Sequence, residues 1–355
     1  MLPHPEAFFL PTEGNSPGQR FCLFHASQEP IVRGSILYIH PFTEEMNKSR
    51  RMAALQSRAL ARAGYDVLQI DLLGCGDSSG DFGDATWQEW VSDVLRGCDW
   101  LRSRTKPRAA GPGGTARSQP SSHNEPHATA TANTPPPPRP FPTEPCTTTP
   151  PDTPPLWLWG LRAGCLLAVD AAKQLNEPCN FLFWQPPSSG KPLLQQFLRL
   201  KVAGDMLGGQ AKGVMEDMRQ QLASGTSVEI AGYMLSAGLA SGMEQAALLP
   251  PAIASDPQEA VMRPLTASAG PAPTAHQFPA GGSRQTRRLE WLELSTREDA
   301  SLSPVSTKTI AQWQQAGYAT RSHIVNGPSF WQTTEIEDAP ALIAATTAAL
   351  ANGLP

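Results

Sequence analysis

Residues 156–175 read LWLWGLRAGCLLAVDAAKQL, and this stretch decides the fold. A short apolar run, typical of a buried strand, leads into a turn that has glycines at Gly160 and Gly164. An apolar helix pattern follows directly. Two glycines around one residue allow a tight, strained turn that lifts the side chain between them, Arg162, above the end of the strand. The stretch therefore predicts a strand, a sharp turn and a helix, with Arg162 at the apex.

Strand and helix signals also alternate upstream of this turn. Residues 35–40 (SILYIH) and 66–71 (DVLQID) are short, continuous apolar runs, as expected for strands buried on both faces. A helix pattern that ends at Gly64 follows the first run, and another over residues 86–102 follows the second. Residues 19–26 (QRFCLFHA) alternate, which predicts a strand at the edge of the sheet. This order predicts an α/β fold with a mostly parallel sheet flanked by helices.

Composition divides the chain into core segments, a lid and low-complexity segments. Residues rich in Pro, Thr and Ser with few large apolar side chains cannot bury a core, which predicts disorder. The predicted units are an N-terminal part of the core (1–102), a disordered insert (103–155), the turn with its strand, its helix and the next strand (156–190), a helical lid without strands (191–249), a low-complexity linker (250–286) and a C-terminal part of the core (287–355).

Overall composition excludes several classes of function. A formal net charge of -4 gives no basic surface for nucleic acid. Six cysteines at irregular spacing, without a CxxC pair, indicate reduced thiols and neither a disulfide framework nor a metal site. No signal peptide and no membrane span are expected. We expect a cytoplasmic protein that needs no cofactor.

The turn at Arg162 has the context of the nucleophile elbow of α/β-hydrolases, Gly-x-Ser-x-Gly. Arg162 stands where such an enzyme has its nucleophile, and a guanidinium stays protonated and cannot attack a carbonyl. At a helix N-terminus an arginine can bind an anion. Alternatively, Arg162 pairs with an acid such as Glu44, Glu45 or Asp299. The sequence leaves both interpretations open.

The other members of a catalytic triad are also displaced or absent. Asp299 follows a late strand and is the candidate acid. The loop over residues 326–333 follows the last strand and contains no histidine, while His323 lies inside that strand. Weak nucleophile candidates remain, although burial is the preferred interpretation of the thiols. They are Cys165, Ser329, Ser78 and Ser79.

His40, Pro41 and Phe42 follow the first buried strand, where a hydrolase builds part of its oxyanion hole. Because Pro41 has no N–H, Phe42 or Thr43 would have to donate. The candidate ligand-binding residues are Arg162, His40, Phe42, Glu44 and Glu45.

Five segments together resemble one family, the exosortase A system-associated hydrolase 2 proteins of the α/β-hydrolase superfamily. They are HPFTEEMNKSRRM from His40, QIDLLGCGDSSGDF from Gln69, LWGLRAGCLLA from Leu158, FWQPPSSGKPLLQQFLRLK from Phe183 and NGPSFWQTTEIE from Asn326. The resemblance implies an α/β-hydrolase fold with a lid. It also implies a bacterial protein linked to exopolysaccharide production and to exosortase sorting of PEP-CTERM proteins. It supplies no substrate.

Three functions are compatible with these residues. The first is hydrolysis of an ester or acyl bond with a non-standard site. The second is a non-catalytic protein that binds an anionic small molecule, such as a sugar phosphate or acidic glycan fragment, at Arg162. The third is an adaptor that contacts exopolysaccharide-system proteins through the lid or the Pro-rich insert. The sequence does not decide whether the protein is an enzyme.

Overall fold

The computed structural model describes residues 4–12, 18–105, 154–207, 213–252 and 287–351. The predicted insert (103–155) and linker (250–286) lie outside the described residues except at their ends. Their disorder stays a prediction.

Eight of the strands described form one sheet, in the order β1-β2-β4-β3-β5-β6-β9-β10. The strands are β1 (Glu6–Thr12), β2 (Gly18–His25), β3 (Gly34–Ile39), β4 (Tyr65–Ile70), β5 (Leu156–Leu161), β6 (Asn180–Trp184), β7 (Val228–Ile230), β8 (Tyr233–Leu235), β9 (Arg288–Ser295) and β10 (Ala319–Asn326). In this order, every neighbouring pair from β4 through β3, β5, β6 and β9 to β10 is parallel. The two remaining pairs, β1 with β2 and β2 with β4, are antiparallel.

Helices cover both faces of this sheet. They are α1 (Glu44–Arg62), α2 (Trp87–Thr105), α3 (Ala163–Ala172), α4 (Lys191–Leu207), α5 (Val214–Ala223), α6 (Ala237–Gln245), α7 (Pro304–Gln315) and α8 (Pro340–Ala351). Strand β3 is buried along its whole length. Ile36 and Tyr38 pack in one core cluster with α1 and α8, whereas Leu37 and Ile39 pack in the other with α2 and α3. The predicted α/β fold is thus confirmed.

Two predictions about strands were wrong. β2 is not an edge strand, because β1 pairs with it along residues 6–12 and occupies the edge. Buried and less buried residues alternate along β2 because antiparallel strands near an edge commonly bury one face more deeply than the other. The segment between β6 and β9 contains α4, α5 and α6 as predicted, but it also contains the hairpin β7–β8. Ala231 and Gly232, both with positive φ, close this hairpin.

Among the described residues, no helix has both the length and the apolar character needed to cross a bilayer.

The two glycines of the turn allow α3 to begin directly against the neighbouring strand. A Cβ at Gly160 would collide with the backbone of Cys165, and a Cβ at Gly164 would collide with the carbonyl oxygen of Ile39. Backbone atoms cannot move aside as a flexible side chain does. Gly160 is therefore required by the close return of α3 onto β5, and Gly164 by the close approach of α3 to β3.

Replacing Gly164 with Ala should lower the free energy of unfolding by about 2 kcal/mol, because the added methyl group overpacks a backbone contact. Urea denaturation measures this change, provided that the unfolding free energy falls with urea concentration at the same slope in the variant and in the wild type. The control is Gly204→Ala in α4, where a Cβ would meet no atom within 4 Å. This control should change stability by less than about 1 kcal/mol, in the stabilising direction. Equal effects of the two substitutions would contradict the close-approach argument.

Candidate functional site

Arg162 lies at the turn between β5 and α3 with φ 53° and ψ −117°. Its N–H donates to the carbonyl oxygen of Trp184 at 3.0 Å, and its own carbonyl accepts from the N–H of Cys165 at 3.0 Å. Positive φ in a non-glycine residue stores strain that the surrounding structure must overcome. The chain therefore keeps the strained geometry of a nucleophile elbow around a residue that is not a nucleophile.

The side chain of Arg162 forms an ion pair with Glu45 at the start of α1. Arg162 Nη2 lies 3.1 Å and Nε lies 3.2 Å from Glu45 Oε1. The guanidinium also donates weakly to Gln196 of the lid helix α4, at 3.4 Å, and lies 5.8 Å from the ring centroid of Trp331. Both charged side chains are largely buried, at 14% and 18% exposure. The sequence left open whether Arg162 binds an anion or pairs with an acid, and the structure contains the ion pair.

Burial and Arg162 act in opposite directions on Glu45. Burial raises the pKa of Glu45 above its usual value, while the charge and hydrogen bonds of Arg162 and a hydrogen bond from Gln332 lower it. The net direction is upward. Arg162 is therefore the main partner that keeps this carboxylate charged in a poorly solvated place.

The other two acids considered for Arg162 lie elsewhere. Glu44 Oε2 accepts a hydrogen bond from the hydroxyl of Tyr233 at 2.9 Å, which joins α1 to the lid hairpin. Asp299 is exposed in the loop after β9. No hydrogen bond or ion pair joins Asp299 to another of the described residues. The structure thus brings Arg162 and Glu45 together but does not bring Asp299 to the turn.

A cavity of about 340 Å³ lies beside this ion pair, under helix α4. It is bounded by the start of α1, by α4 and by the loop after β10. The lining residues are Phe42, Thr43, Glu44, Glu45, Lys48, Leu193, Gln196, Phe197, Leu200, Trp331 and Gln332. One wall is aromatic and aliphatic, and polar side chains lie at the end that adjoins Arg162. Such a mixture is typical of small-molecule sites.

Of the predicted ligand-binding residues, Phe42, Glu44 and Glu45 line the cavity with Arg162 behind them. Phe42 packs edge-on against Phe197 of the lid, with ring centroids 5.0 Å apart.

His40 is placed differently from the prediction. It is buried, its Nδ1–H donates to the carbonyl oxygen of Pro41 at 2.8 Å, and its Nε2 accepts from the N–H of Leu72 at 3.3 Å. Burial lowers its pKa and keeps the ring neutral. Because both ring nitrogens are used by the backbone, His40 is a structural residue that is not free to bind a ligand.

The candidate nucleophiles are engaged or remote. The Cys165 thiol is fully buried beside the carbonyl oxygen of Gly160, and burial raises its pKa well above the usual value. Ser78 Oγ donates to the carbonyl of Asp71 and accepts from the N–H of Phe21. Ser79 Oγ accepts from the N–H of Gln19.

Ser329 is half-buried in the loop after β10 and does not line the cavity. None of the hydrogen bonds made by a histidine ring within the described ranges has a serine or cysteine partner.

His323 lies in β10, as predicted, and not in the loop that follows it. Its Nε2 lies 3.5 Å from Glu290, a buried carboxylate that also accepts from Arg288 and Arg321. This cluster binds the edge of the sheet to the end of α8, because both arginines also donate to the carbonyl oxygen of Ala349. His323 is committed to that network and is not a base for the turn.

Sequence reasoning missed Gln196, Trp331 and Gln332 as residues of the site, whereas it placed Lys48 in a polar cluster close to it. The only signal was the position of Trp331 and Gln332 in the loop after the last strand, where a hydrolase carries its histidine. Gln196 lies on a lid helix that gives no local indication of what it faces. Among the residues described, no group of three His, Cys, Asp or Glu side chains is suitably arranged to hold a metal ion.

Comparison with known proteins agrees with this architecture. No family model matches the chain. The thermostable monoacylglycerol lipase of Bacillus sp. (strain H-257) is 33% identical over 81 residues, which are 23% of this chain and 30% of that protein. Est1E of Butyrivibrio proteoclasticus with bound ferulic acid superposes with a TM-score of 0.50 at 12% identity, over 94% of each chain.

A soluble variant of monoglyceride lipase from Saccharomyces cerevisiae, in complex with a substrate analogue, gives a TM-score of 0.49 at 12% identity, over 98% of this chain and 95% of that one. The strand order, the turn at Arg162 and the superposition on Est1E agree. The chain has the α/β-hydrolase fold.

Arg162→Met should reduce the free energy of unfolding by about 2 kcal/mol near neutral pH, because Glu45 is left buried without its partner. Arg162 lowers the pKa of Glu45, so its removal raises that pKa further above the unfolded value. A carboxyl group whose pKa is higher in the folded than in the unfolded protein contributes to stability at pH values below its unfolded pKa. That contribution is lost as the pH rises through its folded pKa. The deficit of the variant should therefore be smaller at about pH 5 than at about pH 8.

Urea denaturation at both pH values measures this difference. The control is Arg51→Met, which breaks the exposed ion pair with Asp338 and should have almost no effect at either pH. Adding Glu45→Gln to Arg162→Met should restore most of the loss. A deficit that does not change with pH would show that Arg162 stabilises by packing alone.

Proposed function

We propose that this protein binds a small-molecule ligand in the cavity beside Arg162 and does not hydrolyse it. The observation that carries the proposal is the ion pair of Arg162 with Glu45 at the apex of the elbow, next to a cavity closed by the lid helix α4. In this fold, the apex is where a hydrolase presents its nucleophile.

The chemistry of the apex supports binding over turnover. Covalent catalysis needs a hydroxyl, thiol or carboxylate within reach of a base. Arg162 cannot serve as nucleophile, because its guanidinium stays protonated and already donates to Glu45. Cys165, Ser78 and Ser79 are held by backbone groups at other places. Among the described residues that line the cavity there is no histidine to activate Thr43, and the two carboxylates already accept hydrogen bonds, Glu44 from Tyr233 and Glu45 from Arg162. A ligand in the cavity therefore meets hydrogen-bonding groups and apolar surface, without an activated nucleophile.

The ligand could be anionic, as the arginine at the apex first indicated. A sugar phosphate would then replace Glu45 as the partner of Arg162, or bind next to Lys48 at the rim. Binding of glucose phosphate should weaken as salt rises and should disappear in Arg162→Met. Binding that is insensitive to both would exclude an anion site at Arg162.

Ester hydrolysis is the second candidate, and one observation favours it. Among the described residues, the backbone N–H groups of Phe42 and Ala163 donate to no backbone acceptor. These are the positions from which a hydrolase stabilises an oxyanion. The partial similarity to a monoacylglycerol lipase points to the same chemistry.

A fluorophosphonate separates the two candidates, since it labels only an activated nucleophile. We expect no adduct by intact mass, with an active serine hydrolase as the positive control. A stoichiometric adduct at Ser329, or at any other serine, would replace the binding proposal with the enzymatic one.

The biological setting we propose is exopolysaccharide production and exosortase sorting, in the bacterial cytoplasm. It is supported by the sequence resemblance of the five segments alone. Affinity purification from the source cells tests it, because an associated protein should co-purify with components of polysaccharide synthesis. Recovery of none of them from cells that produce the polysaccharide would refute the association.

Binding in the cavity can be measured first with Nile red, an uncharged dye that fluoresces in apolar surroundings. Leu200→Glu should weaken dye binding by about tenfold, because it places a charge on the cavity wall. Leu200 is 52% exposed, so the variant should fold. The control is Ile31→Glu at another exposed apolar residue, which does not line the cavity and should bind the dye as the wild type does. Equal binding by both variants would place the dye elsewhere.

A further inference from the structure

We propose that the lid carries a second binding site, separate from the cavity beside Arg162, in which an organic anion with an apolar body pairs with Arg219. The site is the space enclosed by the lid helices α4, α5 and α6. Because it shares no residue with the cavity of the proposed function, the two sites are tested independently.

A cavity of about 420 Å³ lies among these three helices, and it is larger than the cavity beside the elbow. Every described residue that lines it belongs to α4, α5 or α6, so the lid alone builds the site. Small side chains keep the space open, since Ala223, Ala237 and Ala240 line it where larger residues would fill it. Its volume lies within the range of small-molecule sites.

Helix α4 separates this cavity from the one beside the elbow. Leu193, Phe197 and Leu200 line the cavity beside the elbow, whereas Leu194 and Leu198 line the cavity in the lid. Successive side chains on a helix point about 100° apart, so these two sets lie on different faces of α4. A ligand in one cavity therefore does not occupy the other.

Arg219 is the charged group that selects the ligand. The cavity in the lid is lined by three charged side chains, Lys191, Arg219 and Glu244. Lys191 Nζ lies 3.5 Å from Glu244 Oε1, so these two charges offset each other. Within the described ranges, Arg219 forms no hydrogen bond or ion pair, not even with Glu216 one turn earlier on α5. The cavity thus has one positive charge in excess, which an anion neutralises.

Two neutral side chains add hydrogen-bond donors for the anion. Ser241 Oγ accepts a hydrogen bond from the amide of Gln245 at 3.0 Å, so its own O–H stays available as a donor. Gln195 is half-buried on α4, and its amide is bonded to none of the other described residues. An anionic group in this cavity therefore finds donors in addition to a charge.

The apolar part of the lining selects the body of the ligand. Leu194 and Leu198 of α4 are buried, and Leu222 of α5 is half-buried. Hydrocarbon that packs on these side chains leaves water at a gain in free energy. A sugar in the same place would leave hydroxyl groups without hydrogen-bond partners. The ligand class is therefore a carboxylate or sulfonate on a compact hydrocarbon body, and it differs from a sugar phosphate.

The probe that tests this site is 8-anilinonaphthalene-1-sulfonate, whose fluorescence rises in apolar surroundings. At low salt, the wild type should bind one molecule per chain. Arg219→Gln should weaken this binding about fivefold, because it removes the charge that pairs with the sulfonate, and added salt should reduce the difference. The matched control is Arg199→Gln, at an exposed arginine of α4 that lines neither cavity, and it should bind the sulfonate as the wild type does.

Ala223 allows the charge of the cavity to be changed in both directions. This residue is exposed at the end of α5 and lines the cavity, so its variants should fold. Ala223→Glu should weaken sulfonate binding and Ala223→Lys should strengthen it, each about threefold. The two variants should bind N-phenyl-1-naphthylamine, which has the same rings without the charge, equally well. Equal binding of the sulfonate by both variants would refute a charge-selective site in the lid.

Leu200→Glu separates this site from the cavity beside Arg162. The variant should lose affinity for Nile red but keep its affinity for the sulfonate, because Leu200 lies on the other face of α4. Sulfonate binding that is abolished by Leu200→Glu and unchanged by Arg219→Gln would overturn the inference, as would a folded wild type that binds no sulfonate. Sulfonate binding that depends on Arg219, in a protein that binds no Nile red, would support the second site and refute the proposed function.

Discussion

The ion pair between Arg162 and Glu45 is the interaction on which the rest of the site depends. It joins two strained turns, since Arg162 has φ 53° and Thr43, which precedes α1, has φ 49°. It also joins the sheet to the lid, because the same guanidinium reaches Gln196 of α4. Two charges that are mostly out of water stabilise a structure only when their hydrogen bonds are well made. The geometry of the apex, the start of α1 and the position of the lid are therefore set together.

Aromatic packing then fixes the lid over the apex. Phe42 contacts Phe82, Trp90 and Phe197, and Tyr233 of the lid hairpin contacts Phe82 and Phe197. Tyr233 also donates to Glu44 at the start of α1. Edge-to-face contacts of this kind have a preferred geometry and so define the position of a lid better than aliphatic contacts do. The cavity is the space that these rings leave beside the ion pair.

Much of the fold could be predicted from the sequence, because buried parallel strands are continuous apolar runs and the elbow requires Gly160 and Gly164. β1 was missed because its side chains are largely exposed or half-buried and it contains Pro11, which argues against a strand. The lid hairpin was missed because three-residue strands carry too few residues to show a period.

The site was harder to predict than the fold, for a physical reason. Sequence reasoning gave Arg162 three possible acids, and only the packing of α1 against the elbow selects Glu45 over Glu44 one residue earlier. On a helix, successive side chains point about 100° apart, so one faces the apex and the other faces the lid hairpin. The role of His40 was mistaken because one of its two backbone partners, the N–H of Leu72, is distant in sequence, and only the adjacent carbonyl of Pro41 is local.

In a hydrolase, one position carries the nucleophile and another carries the histidine base. In this chain a hydrogen-bond donor occupies both positions. Arg162 stands at the position of the nucleophile, and the loop after the last strand, where the base belongs, presents Trp331. Both side chains carry only hydrogen-bond donors, and neither can accept a proton at ordinary pH. A single change could be a local loss, but the two changes together leave the turn without a nucleophile and the loop after the last strand without a histidine. The ion pair of Arg162 with Glu45 takes the place of those catalytic groups, and this exchange is what favours a site that binds over a site that reacts.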